Sequence, residues 1–200
     1  MSFHPRIDYA TFHRSERRLE EEGAPFTYTP EHLARFDEII RRYPPDQKRS
    51  AVLPALYLVQ QQLGYVTANA MRYVAGLLEL TPADVEDVVS FYTMFYTKPP
   101  GRFVLQVCRT LSCALNGAGR VTAAISAKLA IRPGETDSTG TFTLLEVECL
   151  GACDRAPVLM VNDAWRECQR PDDVSRLLDD LRAQGEAALS GCHHAVEPKR

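Results

Sequence analysis

Two pairs of cysteines constrain this chain more than any other feature: Cys108 and Cys113 in VCRTLSCALNGAG, then Cys149 and Cys153 in VECLGACDRAPV. Thiolates are soft ligands that select iron-sulfur clusters, zinc or cuprous copper. Two short-spaced pairs, each at the end of an apolar run, therefore read as one four-thiolate metal site. C-x4-C followed at a distance by C-x3-C is neither the C-x2-C knuckle usual for structural zinc nor the C-x-x-C of a dithiol oxidoreductase. It suits a larger object, such as a two-iron cluster in which each iron takes two thiolates.

A single buried cysteine often serves only as a small hydrophobe. Four in two pairs, with Gly117, Gly119, Gly151 and Ala152 beside them, call for more. Small residues there let the backbone approach closely and aim N–H groups at sulfur, which tunes a cluster's potential.

The chain divides into four stretches. Residues 1–28 are polar and lack helical periodicity, and are expected to form a flexible arm, with order beginning at Thr29. Residues 29–98 are expected to form a small helical bundle. Thr29 and Pro30 open its first helix, whose Leu33, Phe36, Ile39, Ile40 and Tyr43 share one face. A second helix runs from about Ser50 to Leu63 and stops at Gly64, with Pro54 in or just after its first turn. Thr67 opens a third, carrying Met71, Val74, Leu77 and Leu78. Thr81, Pro82 and Asp84 open a fourth, striped by Val85, Val88 and Val89. The aromatic stretch Phe91, Tyr92, Phe95 and Tyr96 is expected in the core or at an interface, and Lys98-Pro99-Pro100-Gly101 marks the boundary.

Residues 99–185 read as strand (Phe103 to Val107), helix (about Gly117 to Ala130), strand (Phe142 to Val147), a hairpin around Asn162-Asp163, and a last helix opened by Pro171 and stopped by Gly185. Strand, helix, strand implies a right-handed crossover and a parallel pair, so both cysteine pairs leave the sheet at one end. The expected fold is α/β: a helical bundle followed by a thioredoxin-like domain with a mixed four-stranded sheet and flanking helices. Residues 186–200 are expected to be a flexible tail.

At these residues the chain resembles a known family. SFYTMF at 90–95 and the two cysteine segments, together with AVLPALYLVQQQLGYV at 51–66, look like the thioredoxin-like 2Fe-2S ferredoxin subunit of the NADH dehydrogenase module of respiratory complex I, the 24 kDa subunit family. The similarity runs from about residue 28 to about residue 182. It implies that Cys108, Cys113, Cys149 and Cys153 hold one 2Fe-2S cluster near the flavin site of a partner subunit in NADH:quinone oxidoreductase. It further implies that the chain carries single electrons while the flavin- and NADH-binding subunit does the hydride chemistry, with other peripheral-arm subunits as further partners. The equivalent subunit of an NAD-linked hydrogenase or formate dehydrogenase is the alternative, and a zinc-stabilised adaptor is a third reading.

Composition agrees with such a partner-bound protein. A net charge of −3 gives no electrostatic footprint for nucleic acid. No apolar run approaches the eighteen or so residues of a membrane helix, and the start lacks a secretory h-region. The expected location is cytoplasmic, peripheral to the inner (plasma) membrane through the complex, with no direct insertion. Neither G-x-G-x-x-G after a strand, nor a Walker sequence, nor a nucleophile elbow is present, so neither NADH nor flavin is expected to bind this chain. Cys168 is expected to be a packed thiol in a strand and the Cys192-His193-His194 tail to be solvated; the charge of Glu148, beside Cys149, bears on the cluster potential but is largely screened if the carboxylate faces solvent.

Overall fold

The computed structural model describes residues 25–189, and the chain separates into two compact units at Pro99 and Pro100. The first unit is helical: α1 (Pro30–Ile40), α2 (Val52–Leu63), α3 (Ala68–Leu78) and α4 (Pro82–Phe91), with a 3-10 turn at Lys48–Ala51 leading into α2. Local chemistry sets the helix starts. The Thr29 side chain accepts from the His32 amide and the Thr67 side chain from the Ala70 amide, while Thr81 and Asp84 complete a reciprocal capping box. Gly64 ends α2 at φ 84°, a conformation open to glycine without strain.

The helices cover a core of Leu56, Val59, Val66, Val74 and Val85, each at most 1% exposed. Four short helices hold together through this shared apolar face, since isolated helices of this length are marginal in water. Truncating a residue such as Leu56 costs about 2–5 kcal/mol. Two expectations need correction here. Order begins before Thr29: Phe26 and Tyr28 are buried, and Tyr28 stacks edge-on against Tyr73 with ring centroids 5.2 Å apart. Leu33, expected on the apolar stripe of α1, is exposed, and the helix ends at Ile40, before Tyr43.

In the second unit the order is β1 (Phe103–Cys108), α5 (Leu111–Leu115), α6 (Ala118–Leu129), β2 (Phe142–Val147), β3 (Leu159–Val161), β4 (Ala164–Arg166) and α7 (Pro171–Gln184). The sheet order is β2-β1-β3-β4. β1 and β2 are parallel, with Phe103 opposite Phe142 and Cys108 opposite Val147; β3 is antiparallel to β1, and β4 to β3. A mixed sheet with helices is therefore what forms. All six residues of β1 are buried, as its central place in the sheet requires. Phe103, Leu105, Phe142, Leu144, Leu159, Ile125 and Leu178 form the core between sheet and helices.

The loop before β2 folds back on that strand. Asp137 accepts from the amides of Thr141 (2.7 Å) and Phe142 (3.1 Å) and from the Thr139 hydroxyl (2.9 Å). The Gly134 amide donates to the Leu144 carbonyl, and the Leu144 amide to the Glu135 carbonyl. At the far end of the unit, residues 185–189 form a 3-10 turn whose Ala188 carbonyl accepts from Arg166, so order continues four residues into the expected tail. The Cys192-His193-His194 segment lies outside the described residues. Cys168 differs from expectation. It lies past the end of β4, exposed and at φ 51°.

Candidate metal centre

The parallel register carries the first and third cysteines to one end of the sheet. Cys108 is the last residue of β1, and Cys149 follows the last residue of β2 by two positions. One further hydrogen bond, from the Arg109 amide to the Val147 carbonyl at 3.0 Å, prolongs the ladder into the two cysteine segments.

Cys113 is delivered by α5, a five-residue helix that the sequence pattern does not predict. Thr110 occupies its N-cap position but makes no capping bond; its hydroxyl lies 3.0 Å from the Cys108 Sγ instead. Cys113 faces inward at 3% exposure, while Leu111 and Leu115, one turn apart, are 75% and 79% exposed. The helix thus places its thiol in the core and its leucines in solvent. Gly117 at φ 96° then turns the chain into α6.

Beyond β2 the chain makes a loop around Gly151, whose φ of 84° suits glycine. The Gly151 amide points at the Cys149 Sγ, 3.3 Å away. A 3-10 turn at Cys153–Arg155 brings the Cys153 Sγ to 3.9 Å from that of Cys149. Both thiols are exposed, unlike Cys108 and Cys113. The Ala156–Pro157 peptide is cis, and the next residue, Val158, takes the Cys108 amide proton on its carbonyl at 3.1 Å.

Burial, hydrogen bonds and neighbouring sulfurs shift three of the thiols. Burial pushes Cys108 up, but hydrogen bonds from the Thr110 hydroxyl and from the Leu150 and Thr110 backbones outweigh it and leave this thiol below its ordinary range. Burial holds Cys113 above its ordinary range against a hydrogen bond from the Val158 backbone, with the Cys108 and Cys153 charges adding to the rise. Cys153 is raised by its hydrogen bond to Cys149 and that neighbour's charge, and the Cys108 charge acts in the same sense. Influence therefore crosses between the two pairs.

Charged residues that adjoin the cysteines in sequence form pairs of opposite sign. Arg109 Nε and Nη2 donate to Glu148 Oε1 at 3.1 and 2.9 Å. Arg155 lies 3.3 Å from Asp154 and 3.9 Å from Glu167. Among the described residues, no group of three or more His, Cys, Asp or Glu is placed to hold a metal ion; the thiol contacts run within each pair, Cys149 with Cys153 at 3.9 Å and Cys108 with Cys113 through their side chains. In the helical unit, a cavity of about 260 Å³ lined by Met71, Val89 and Phe95 contains no thiol.

Residues 36–182 match the model of the thioredoxin-like [2Fe-2S] ferredoxin family. An NADH-quinone oxidoreductase subunit of Rickettsia bellii (strain RML369-C) is 40% identical over 158 residues, covering 78% of this chain and 95% of that protein. Its namesake from Mycobacterium tuberculosis (strain ATCC 25618 / H37Rv) is 42% identical over 166 residues, covering 81% of this chain and 65% of that one. In fold, 71% of the chain superimposes on 24% of a chain of an NAD+-reducing [NiFe]-hydrogenase, with a TM-score of 0.60 and 22% identity. The match to the family model spans both units and both cysteine pairs, and the chain belongs to the thioredoxin-like [2Fe-2S] ferredoxin family.

Proposed function

We propose that this chain is an electron-carrying subunit of an NADH:quinone oxidoreductase and holds one [2Fe-2S] cluster on Cys108, Cys113, Cys149 and Cys153. The observation that carries the reading is that the parallel β1–β2 pair brings both cysteine segments to one end of the sheet, with Cys149 and Cys153 side by side there. Two thiolates bound at about 2.3 Å in one tetrahedral shell lie about 3.8 Å apart. The 3.9 Å between Cys149 and Cys153 fits that spacing. A structural zinc would draw all four thiols into one tetrahedron, whereas a two-iron cluster takes one pair per metal.

When bound, such a cluster supplies a one-electron couple. The residues around it favour added negative charge: the Gly151 amide at Cys149 and the Thr110 hydroxyl at Cys108 direct hydrogen-bond donors at sulfur. The chain acts here by holding and orienting, as an electron carrier without a hydride-transfer site of its own. The names of the relatives support other subunits of an NADH-quinone oxidoreductase as partners; the neighbour in this reading is the NADH- and flavin-binding subunit, with further peripheral-arm subunits beyond it. No helix among the described residues is long and apolar enough to cross a membrane. Attachment to the cytoplasmic face of the inner membrane would then run through the rest of the complex.

Anaerobic purification tests the reading. A reddish-brown protein with two irons and two sulfides per chain, giving an EPR signal on reduction, is expected; equimolar zinc with negligible iron would overturn it. Co-expression with the flavin-bearing subunits of a quinone reductase and of an NAD-linked hydrogenase distinguishes the host complex by which one co-purifies.

A further inference from the structure

The two cysteine segments are joined by side chains as well as by the sheet. Arg109 follows Cys108 and Glu148 precedes Cys149, thirty-nine positions apart in sequence. The parallel register puts them one step beyond the last paired residues, Cys108 and Val147, and the Arg109 amide bond to the Val147 carbonyl fixes that step. Their side chains meet through two N–H donors on one carboxylate oxygen. Each charge thus sits one residue from a thiol, and each is balanced by the other.

We propose that the Arg109–Glu148 ion pair is a positioning and charge-balancing clamp: it ties the two cysteine segments together and cancels, at the cluster, the charge that either residue alone would impose. The inference rests on the four cysteines holding the cluster. Reduction adds one electron, and hence one negative charge, so an unbalanced charge beside a ligand changes the ease of that addition. Glu148 left alone opposes it, and Arg109 left alone assists it. Surface ion pairs contribute little to stability in general, about 0–1 kcal/mol, and side-chain exposures of 60% and 68% place this pair in that class. Its value lies in where the charges sit.

The other charged groups nearby do not supply the same balance. Arg155 already lies beside Asp154 and Glu167, on the far side of the Cys149–Cys153 loop in sequence. Glu146, in β2, is exposed.

The test is a redox titration, followed by EPR, of the full chain with its cluster, as the native protein, Arg109→Gln, Glu148→Gln and the double variant. Iron and sulfide per chain are measured in each sample. Arg109→Gln should lower the midpoint and Glu148→Gln should raise it, each by up to tenfold in the reduced-to-oxidised ratio at fixed potential, about 59 mV for one electron. The double variant should return close to the native value. Both shifts should shrink at about 1 M salt, where the screening length falls to about 3 Å. Full clusters with unchanged midpoints, or with both single variants moving the same way, would overturn the clamp. If a single variant fails to assemble, the swapped pair Arg109→Glu with Glu148→Arg decides: recovery of the cluster supports the clamp, and continued failure overturns it. Absence of iron from the native chain would instead overturn the ligand reading itself.

Discussion

The Tyr28 hydroxyl donates to the Ala55 carbonyl at 2.7 Å, pinning the segment that enters the helical unit onto α2. Burial holds this phenol well above its ordinary range, with Tyr73 acting in the same sense. An unfolded tyrosine loses its proton near pH 10. Above that pH the native state retains a proton that the unfolded state has lost, so the contribution is complete below about pH 10 and disappears as pH rises further. In urea denaturation at pH 8, Tyr28→Phe should be less stable by about 1 kcal/mol. Between pH 9.5 and 11 its midpoint should fall less steeply than that of the native chain.

Cys113→Ser and Cys149→Ser should each lose most of the visible iron-sulfur absorbance, because a ligand thiolate is bonded to the metal. Cys168→Ser should keep it, since that thiol is exposed beyond β4. An intact spectrum in Cys113→Ser with a bleached one in Cys168→Ser would reverse the assignment.

Asp137 gives the acid counterpart of Tyr28. Burial pushes its carboxyl up, but donors from Phe142, Thr139 and Thr141 and the charge of Arg182 outweigh this, holding it below the usual carboxylate range. The stabilisation is present above about pH 4 and lost as pH falls through the depressed value. Asp137→Asn should cost about 2 kcal/mol at pH 7. The gap between the two urea midpoints should narrow on going from pH 4 to pH 2.5.

A β-carbon on Gly101 would meet backbone atoms of Thr141 and Phe142 at 2.9 Å, where nothing flexible can yield. Gly101→Ala should therefore destabilise by about 1–3 kcal/mol. Gly119, inside α6 with open space around it, is the control. Gly119→Ala should stabilise by up to about 1 kcal/mol, read as opposite shifts of the thermal midpoint.

Features carried by neighbouring residues were legible in the sequence. Caps are three-residue affairs, so Thr29, Thr67 and Thr81 marked their helices, and the Asn162-Asp163 turn marked the β3–β4 hairpin. Burial that depends on distant partners was not. Phe26 and Tyr28 show no periodicity of their own, and their place in the core comes from Phe36 and Tyr73 packing against them. The helix α5 is five residues long with two leucines in water, too short and too exposed to leave a periodic signal. A strand running from Trp165 to Cys168 is two residues too long, because β4 stops at Arg166 and Cys168 turns to φ 51°. The meeting of Arg109 with Glu148 required the register of β1 on β2, which the order of elements implies in direction but not in step.

The segment folded against β2 has a consequence for how the chain behaves before it meets any partner. A bare sheet edge is a row of unpaired amides and carbonyls on which another copy's strand can grow. Here Gly134 and Glu135 take up the outer hydrogen bonds of Leu144, and Asp137 donates its amide to the Phe142 carbonyl. At the opposite side, β4 offers only three residues, ending in a charged arginine. Neither border of the sheet therefore presents a long bare strand, which discourages strand pairing between copies of the chain.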